Sequence, residues 1–502
     1  MSIRFYPVKT PATEGGYTIS VNGMTVPTDT ARVSAMPYNR RWPGHQRSLD
    51  QTEVIQFLSM EADEPLDFEI ALPEPTDKAV LRPYSLGVTP ELCSDGMIRF
   101  TLPRPAYFTL EPYGRSNALH IFVDAPETNI PDKAAGNVIY FAPGEHDVGQ
   151  IELKSGQTLY LDAGTVVYAC IKAIDAENIS ILGRGILDNS RNVEKILFEA
   201  SEQGNTAAVK NATRQHTIQL EYCTGVLIDG ITIRDSLVYN IRPIACRRLT
   251  IRGVKIIGCW RYNSDGIDMH NCEDVLIENC FLRTFDDSIC VKGFDCYYEG
   301  DVEKAVREAM YRGGQVYDVF RNVLVRGCVI WNDWGKCLEI GAETRAEEIC
   351  DILFEDCDII HVCGPILDCC NVDYADVHHV ISRNIRIELD ENIPAPRIQN
   401  RDDEPYGEVT PGYQPPIICG VVAFHFEYSA GGTRRGINRD LLFENIAITG
   451  GLKPRASFSS HSEEACCRDI VIRNITVDGK RLTGDELGLS ISEHCKNIVF
   501  EG

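Results

Sequence analysis

The stretch 263–292 reads NSDGIDMHNCEDVLIENCFLRTFDDSICVK and carries three carboxylates with a spacing suited to acid–base chemistry. Asp265 lies in an Asn-Ser-Asp-Gly-Ile-Asp run, and the adjacent Asp286 and Asp287 begin 21 residues later. That separation is close to the repeat of the surrounding chain, one turn of a parallel β coil. Residues one turn apart stack on neighbouring strands, about 4.7–4.9 Å apart, so the three Asp side chains should meet on one exterior patch. Like charges that close raise at least one pKa, leaving one carboxyl protonated as an acid while another stays ionised as a base. Two such carboxyls are the equipment of glycoside hydrolysis. By itself, Asn-x-Asp-Gly-x-Asp also fits a turn or a Ca²⁺ loop, but the closing Glu of an EF-hand is missing.

The elements that must position these residues show as a repeat of apolar-x-apolar-x-[Gly/Asn/Asp]-apolar-x-apolar. It appears as VLIDGITI, LTIRGVKI, VLIENCFL, VLVRGCVI, ILFEDCDI, VISRNIRI, LLFENIAI and IVIRNITV. The turn residues are Gly183, Gly230, Gly253, Asn279, Gly327, Asp356, Asn384, Asn445 and Asn474, at successive spacings of 47, 23, 26, 48, 29, 28, 61 and 29. The long spacings read as two units each. Gly, Asn and Asp tolerate positive φ, so each marks a bend between short β segments. A period in the twenties built this way is a β-helix coil. A leucine-rich repeat shares the length, but Ile and Val stand here in place of its Leu and Asn framework.

Ahead of the repeat, residues 1–125 carry short strand candidates at 17–21, 54–60, 68–72, 98–102 and 118–123, punctuated by turn residues. They read as a small N-terminal β-sandwich. A linker, 126–136, leads to the β-helix domain, 137–502. Two insertions interrupt the coils. The segment 297–319 has helical spacing at Val302, Ala305, Val306 and Ala309, with Asp301 to cap it and Gly313 to end it; it reads as a lid or cleft wall, or as decoration. The Pro-rich segment 391–414 reads as a rim loop. The cationic loop 39–47, NRRWPGHQR, reads as a surface loop, or as one reaching the cleft or a partner subunit of a homo-oligomer.

Composition narrows the partners. The net charge is −24, against a nucleic-acid partner, since phosphate binding needs basic patches. No apolar run is long enough to span a membrane. The N-terminus lacks a basic-then-apolar signal pattern, so the expected location is the cytoplasm. The 20 cysteines do not read as a disulfide framework. Cys280, Cys328 and Cys357 share one repeat offset with Ile231, Ile385, Ile446 and Ile475, which marks small buried apolar positions. No CxxC pairs with another at zinc spacing, and no metal is expected. The adjacent pairs Cys369–Cys370 and Cys466–Cys467 read as buried or half-buried thiols before metal or redox sites.

NSDGID followed by DDSICVK resembles the polygalacturonase-like glycoside hydrolases, glycoside hydrolase family 28. Their motifs run Asn-Thr-Asp-Gly-Ile-Asp and then Asp-Asp. The resemblance extends over roughly 135–502 and is strong at these two motifs. It implies an all-β fold with a right-handed parallel β-helix, an inverting mechanism and no cofactor. By position it implies Asp286 as the general acid and Asp265 with Asp287 as the pair that activates water. Two departures stand out. The family's Gly-His-Gly matches Gly335-Lys336-Cys337, so Lys336 replaces the histidine. The Arg-Ile-Lys that holds a galacturonate carboxylate matches Gly364–Asp368, with no cation. Bidentate carboxylate recognition depends on Arg, so a uronic-acid substrate is not expected unless Lys292, Lys336 or Arg345 serves instead.

The substrate-binding candidates are Asn263, Asp268, His270, Lys292, Trp334, Lys336, Glu343 and His425, with Trp260, Tyr262, Asp368, Asp373 and Glu427 also near the cleft. Aromatic faces stack on sugars and polar groups bond their hydroxyls. The leading expectation is a glycosidase acting on oligo- or polysaccharides, imported short chains above all. The alternatives are a dextranase-like (family 49) hydrolase of neutral glycans, which also has an N-terminal sandwich and a three-Asp site, a β-helix polysaccharide lyase using a basic residue, and a non-catalytic glycan-binding β-helix.

Overall fold

The computed structural model describes residues 3–6, 16–36, 38–41, 49–192, 215–261, 263–294, 301–390, 393, 395, 397–399, 412–423, 434–450 and 453–502. Two sheets form within 3–124. One pairs Ile3–Phe5, Asp29–Ser34, Thr52–Ala62, Leu81–Arg82, Ala106–Leu110 and Leu119–Asp124; the other pairs Thr18–Val21, Met24–Val26, Leu66–Ala71, Glu91–Leu92 and Met97–Leu102. Alternation along Met97–Leu102 buries Ile98, Phe100 and Leu102 on one face. Phe68, Phe100 and Phe108 meet there between the sheets, stacked and edge-on, so this part is a sandwich with its own core.

The six-stranded sheet is apolar on both faces, and Leu119–Asp124 is buried at every position. Its second face, with Val33, Ile55, Phe57 and Phe122, packs on Ile257, Phe281, Val329, Trp331 and Ile360 of the β-helix. Ion pairs rim this contact: Arg82 with Glu388 at 2.6 Å, Arg115 with Asp390 at 2.6 Å, and His361 between Glu111 and Asp390 at 2.9 and 2.8 Å. The sandwich is therefore seated against the coils.

From Val138 to Glu501 the strands form one continuous array and pair in parallel with those of the next coil, apart from the short antiparallel pairing of Lys480–Arg481 with Cys467–Val477. Three columns run along it. One holds Ile267–His270, Ile289–Lys292, Leu338–Ala342 and Leu367–Asn371. A second holds Glu273–Glu278, Val319–Arg326, Glu348–Glu355 and Asp376–Arg383. A third holds Phe281–Thr284, Val329–Asn332 and Asp358–His361. The predicted bend residues carry the columns round each corner: Gly230, Asn279, Asp356 and Asn474 have φ of 81°, 53°, 54° and 53°. Cys280, Cys328 and Cys357 lie in the core at the Ile offset, buried to within 1%. Every cysteine among the described residues is free.

One expectation is corrected. The spacings of 47, 48 and 61 are single coils, because Leu182 pairs with Asp229, Glu278 with Arg326 and Arg383 with Glu444 directly. Insertions, not second repeats, account for the extra length. The middle one contains the helix Val302–Met310, capped by Asp301, whose side chain accepts from the Lys304 N–H at 3.1 Å. Val306 and Met310 seal it against Ile244, Phe294 and Tyr317. In the last, Arg397–Gln399 pairs with Asn39–Arg41, tying the N-terminal loop to the rim. Among the described residues no helix is long and apolar enough to cross a membrane.

Candidate active site

The three aspartates gather at the turns that lead into the first column. The Gly266 N–H donates to the Asp287 carbonyl at 2.8 Å, and Ser288 N–H to the Lys336 carbonyl at 2.8 Å. Asp265, Asp287 and Lys336 are thus successive rungs of one ladder, with Asp286 beside it. Asparagine amides brace these turns. Asn240 Nδ2 donates to the Asp265 carbonyl at 2.7 Å, and Asn332 Nδ2 to the carbonyls of Asp286 and Lys336 at 2.7 and 3.0 Å. Gly335 lets the next coil lie directly on the Asp286–Asp287 peptide: a Cβ there would sit 2.5 Å from the Asp286 carbonyl carbon and the Asp287 nitrogen.

Within the strands, alternation points every second side chain outward. Asp268, Cys290, Glu339 and Asp368 occupy one such ladder, and His270 and Lys292 the next. The expected exterior patch is instead a buried floor. Asp265, Asp268 and Asp286 are 1%, 0% and 4% exposed, while Asp287 is half-buried.

Burial makes the charge arrangement decisive. The Lys292 ammonium lies 3.1 Å from Asp268, 3.7 Å from Glu343, 3.8 Å from Asp287 and 3.9 Å from Asp265. Lys336 pairs closely with Glu339 and lies 2.8 Å from Asp368, while its N–H donates to Asp287 Oδ1 at 3.0 Å. Burial, with the Asp268 and Asp286 carboxylates, pushes Asp265 well above the usual carboxylate range, against the pull of Lys292. Burial also acts on Asp287, but the two ammoniums and hydrogen bonds from Glu339 and Lys336 outweigh it and hold that carboxyl below its ordinary value. Burial and the Asp287 charge push Glu339 well up. One floor therefore holds a carboxyl whose proton is bound more tightly than usual and one whose proton is bound more loosely.

The predicted residues fall in different places. Lys292, Glu343 and Lys336 lie in the carboxylate cluster, and their charges pair within it. Lys292, expected to touch sugar, is buried among carboxylates. His270 turns Nδ1 to the Gly293 carbonyl at 3.0 Å. Trp334 is half-buried and stacks on Phe285 at 6.1 Å between centroids. Asn263 takes the left-handed turn, φ 49°, ahead of Asp265. Trp260 donates to Asp235 at 3.1 Å, and Arg345 is committed to Asp373 at 3.0 Å. His425, Tyr262 and Glu427 lie outside the described residues. Sequence reasoning missed Glu339, fully buried in the centre of the cluster, and Tyr239, whose ring lies 5.4 Å from the Lys292 nitrogen. The signal for Glu339 was the alternation in Leu-Glu-Ile, an outward acid between two core residues.

Asp287, Cys290 and Glu339 offer ligand atoms within 4.8 Å of one another. The ammoniums of Lys292 and Lys336 already supply positive charge there, so the donor set does not fit a metal ion.

Residues 146–302 match the family described as Glycosyl hydrolases family 28. The matched segment contains Asp265, Asp286 and Asp287, and there the chain is similar to the polygalacturonase-like hydrolases that its motifs resemble. A probable polygalacturonase from Vitis vinifera is 34% identical over 87 residues, 17% of this chain and 18% of that protein. A polygalacturonase from Gossypium barbadense is 26% identical over 242 residues, 45% of this chain and 55% of that one. The chain thus spans at most about half the length of these curated relatives. Among solved structures, Dex49A from Penicillium minioluteum superposes with a TM-score of 0.65 at 14% identity, covering 99% of this chain and 100% of that one. That likeness covers the whole two-part fold, sandwich and coils together.

Proposed function

We propose that this protein is an inverting glycoside hydrolase that cleaves glycosidic bonds of oligo- or polysaccharides with its own carboxyls and no cofactor. The observation that carries this is the cluster itself: Asp265 and Asp287 on neighbouring coils share one ammonium with opposite pKa shifts, and Asp286 adjoins them. The lowered pKa of Asp287 suits the base, and the acid role of Asp286 follows from its position in the family motif. In this reading Asp286 protonates the departing glycosidic oxygen as the bond from the anomeric carbon breaks. Asp287, ionised, takes a proton from water as the water oxygen attacks that carbon from the opposite face. Asp265 completes the pair with Asp287 that activates the water. Glu339 and Lys336 hold Asp287 ionised, and Lys336 so replaces the family's histidine in place but not in kind.

The substrate reading is a neutral glycan. The cations that would anchor a uronate are each spent on carboxylates: Lys292, Lys336 and Arg345. The Dex49A likeness, which includes the sandwich, supports the family 49-like alternative for the same substrate class. A lyase needs a neutral amine as base. Burial favours that form, but Asp368 and Glu339 outweigh it and hold the Lys336 ammonium far above its ordinary value, which weighs against that chemistry. Free thiols support a reducing, cytoplasmic setting.

The test is a panel of neutral and uronate glycosides and oligosaccharides, with the anomer first released followed by NMR. Inversion on a neutral substrate is expected. Retention, or an unsaturated product absorbing in the ultraviolet, overturns the reading. Asp286→Asn should lose roughly 10²–10⁴ in rate and recover in part on a substrate with a very good leaving group, whereas Asp265→Asn and Asp287→Asn should not recover.

A further inference from the structure

We propose that Glu348, Cys350 and His378 form a zinc site on the outside of the β-helix, joining two neighbouring coils on the column next to the cleft. The strands Glu348–Glu355 and Asp376–Arg383 run in register, Cys350 opposite His378. Ile349 and Val377 fill the core, so alternation turns Cys350 and His378 outward. Both are nevertheless covered, 4% and 9% exposed, while Glu348 stands at the solvent edge. One ligand atom from each lies within 4.8 Å of the others. Zinc bonds of about 2.3 Å to sulfur and about 2.0–2.2 Å to nitrogen and oxygen draw such atoms to roughly 3.5 Å apart, so side-chain rotation of about an ångström closes the site.

The surroundings suit a divalent cation. The donor set, one thiolate, one imidazole and one carboxylate, is the borderline-soft mixture zinc accepts. Among the described residues no ion pair engages Glu348. The guanidiniums on the flanking rungs are already spent, Arg439 on Asp376 at 2.9 and 3.0 Å and Arg321 on Glu273 at 3.0 Å. Behind His378, the His379 ring meets it edge-on with the two Nδ1 atoms 3.1 Å apart, and His379 Nδ1 lies 3.4 Å from Asp351. Packing against the His379 ring holds the plane of the ligand histidine in place. The fourth zinc position stays open to water. No spacing along the chain announces this site, since its ligands come from successive coils 28 residues apart.

The experiment uses the full chain, stripped with a chelator under reducing conditions and titrated with zinc against a chromophoric competitor. Cobalt(II) in parallel reports thiolate coordination by its charge-transfer absorption. One zinc per chain is expected, with the cobalt–thiolate band present. Cys350→Ser should lose that band and weaken zinc at least tenfold, as should His378→Ala. Glu348→Gln, at the solvent edge and neutral to the fold, should weaken zinc without removing the band. Zinc should raise the Tm of the wild type and not of Cys350→Ser. No binding by the wild type, or binding unchanged in Cys350→Ser and Glu348→Gln, overturns the proposal.

Discussion

Replacing Lys292 by Met removes the one positive charge shared by Asp265, Asp268, Asp287 and Glu343. Its expected effect follows from geometry. A unit charge 3.8 Å from the Asp287 carboxylate, at an effective dielectric constant of about 20, stabilises the ionised form by about 4 kcal/mol. At 1.36 kcal/mol per unit this is an upper bound of about 3 pKa units, and Lys336 retains part of the hold. Lys292 depresses the Asp287 pKa, so its loss raises it. The base is then protonated at acidic pH and recovers as pH rises. The acid limb of kcat/KM should therefore move to higher pH by about 1–3 units, with KM little changed. The assay is the pH–rate profile on the best substrate of the panel, with circular dichroism to confirm folding and Lys292→Gln as a second variant of different shape. A profile left in place while KM alone rises would show Lys292 to be a sugar contact and refute the electrostatic role.

Gly335→Ala should cost activity well beyond its effect on Tm, since its Cβ would strike the Asp286–Asp287 peptide; a variant with full kcat would show that the turns yield without moving the carboxyls. Glu339→Gln keeps the shape but removes the titrating proton beside Asp287, and should lower kcat about tenfold or more and reshape the acid limb; an unaltered profile would leave Glu339 a packing residue. Thiol titration should find few reactive groups in the native protein and nearly all after denaturation, as the buried cysteine ladders require, and non-reducing mass spectrometry showing disulfides would overturn this.

What the sequence determined by itself was whatever depends on chain neighbours. The bends at Gly230, Asn279 and Asn474 follow from side chains that tolerate positive φ. Cys280 and Cys328 declared themselves core residues by interchange with Ile, and Asp301 announced the helix it caps. The one-coil separation of Asp265 from Asp287 was legible because that coil carries no insertion. Only the tertiary structure decided the rest. The coils with 47, 48 and 61 residues between bends are single turns, because a loop adds chain length without changing which strands touch. Asp265 and Asp286 proved buried, and Lys292 and Lys336 proved to be partners of acids, because ion pairing depends on register across coils. Glu339 entered the cluster for the same reason: strand alternation set its direction, but only the stacking of its coil on Cys290 and beside Lys336 gave that direction a neighbour. Proximity between coils is a property of the stack, and no local pattern of residues carries it.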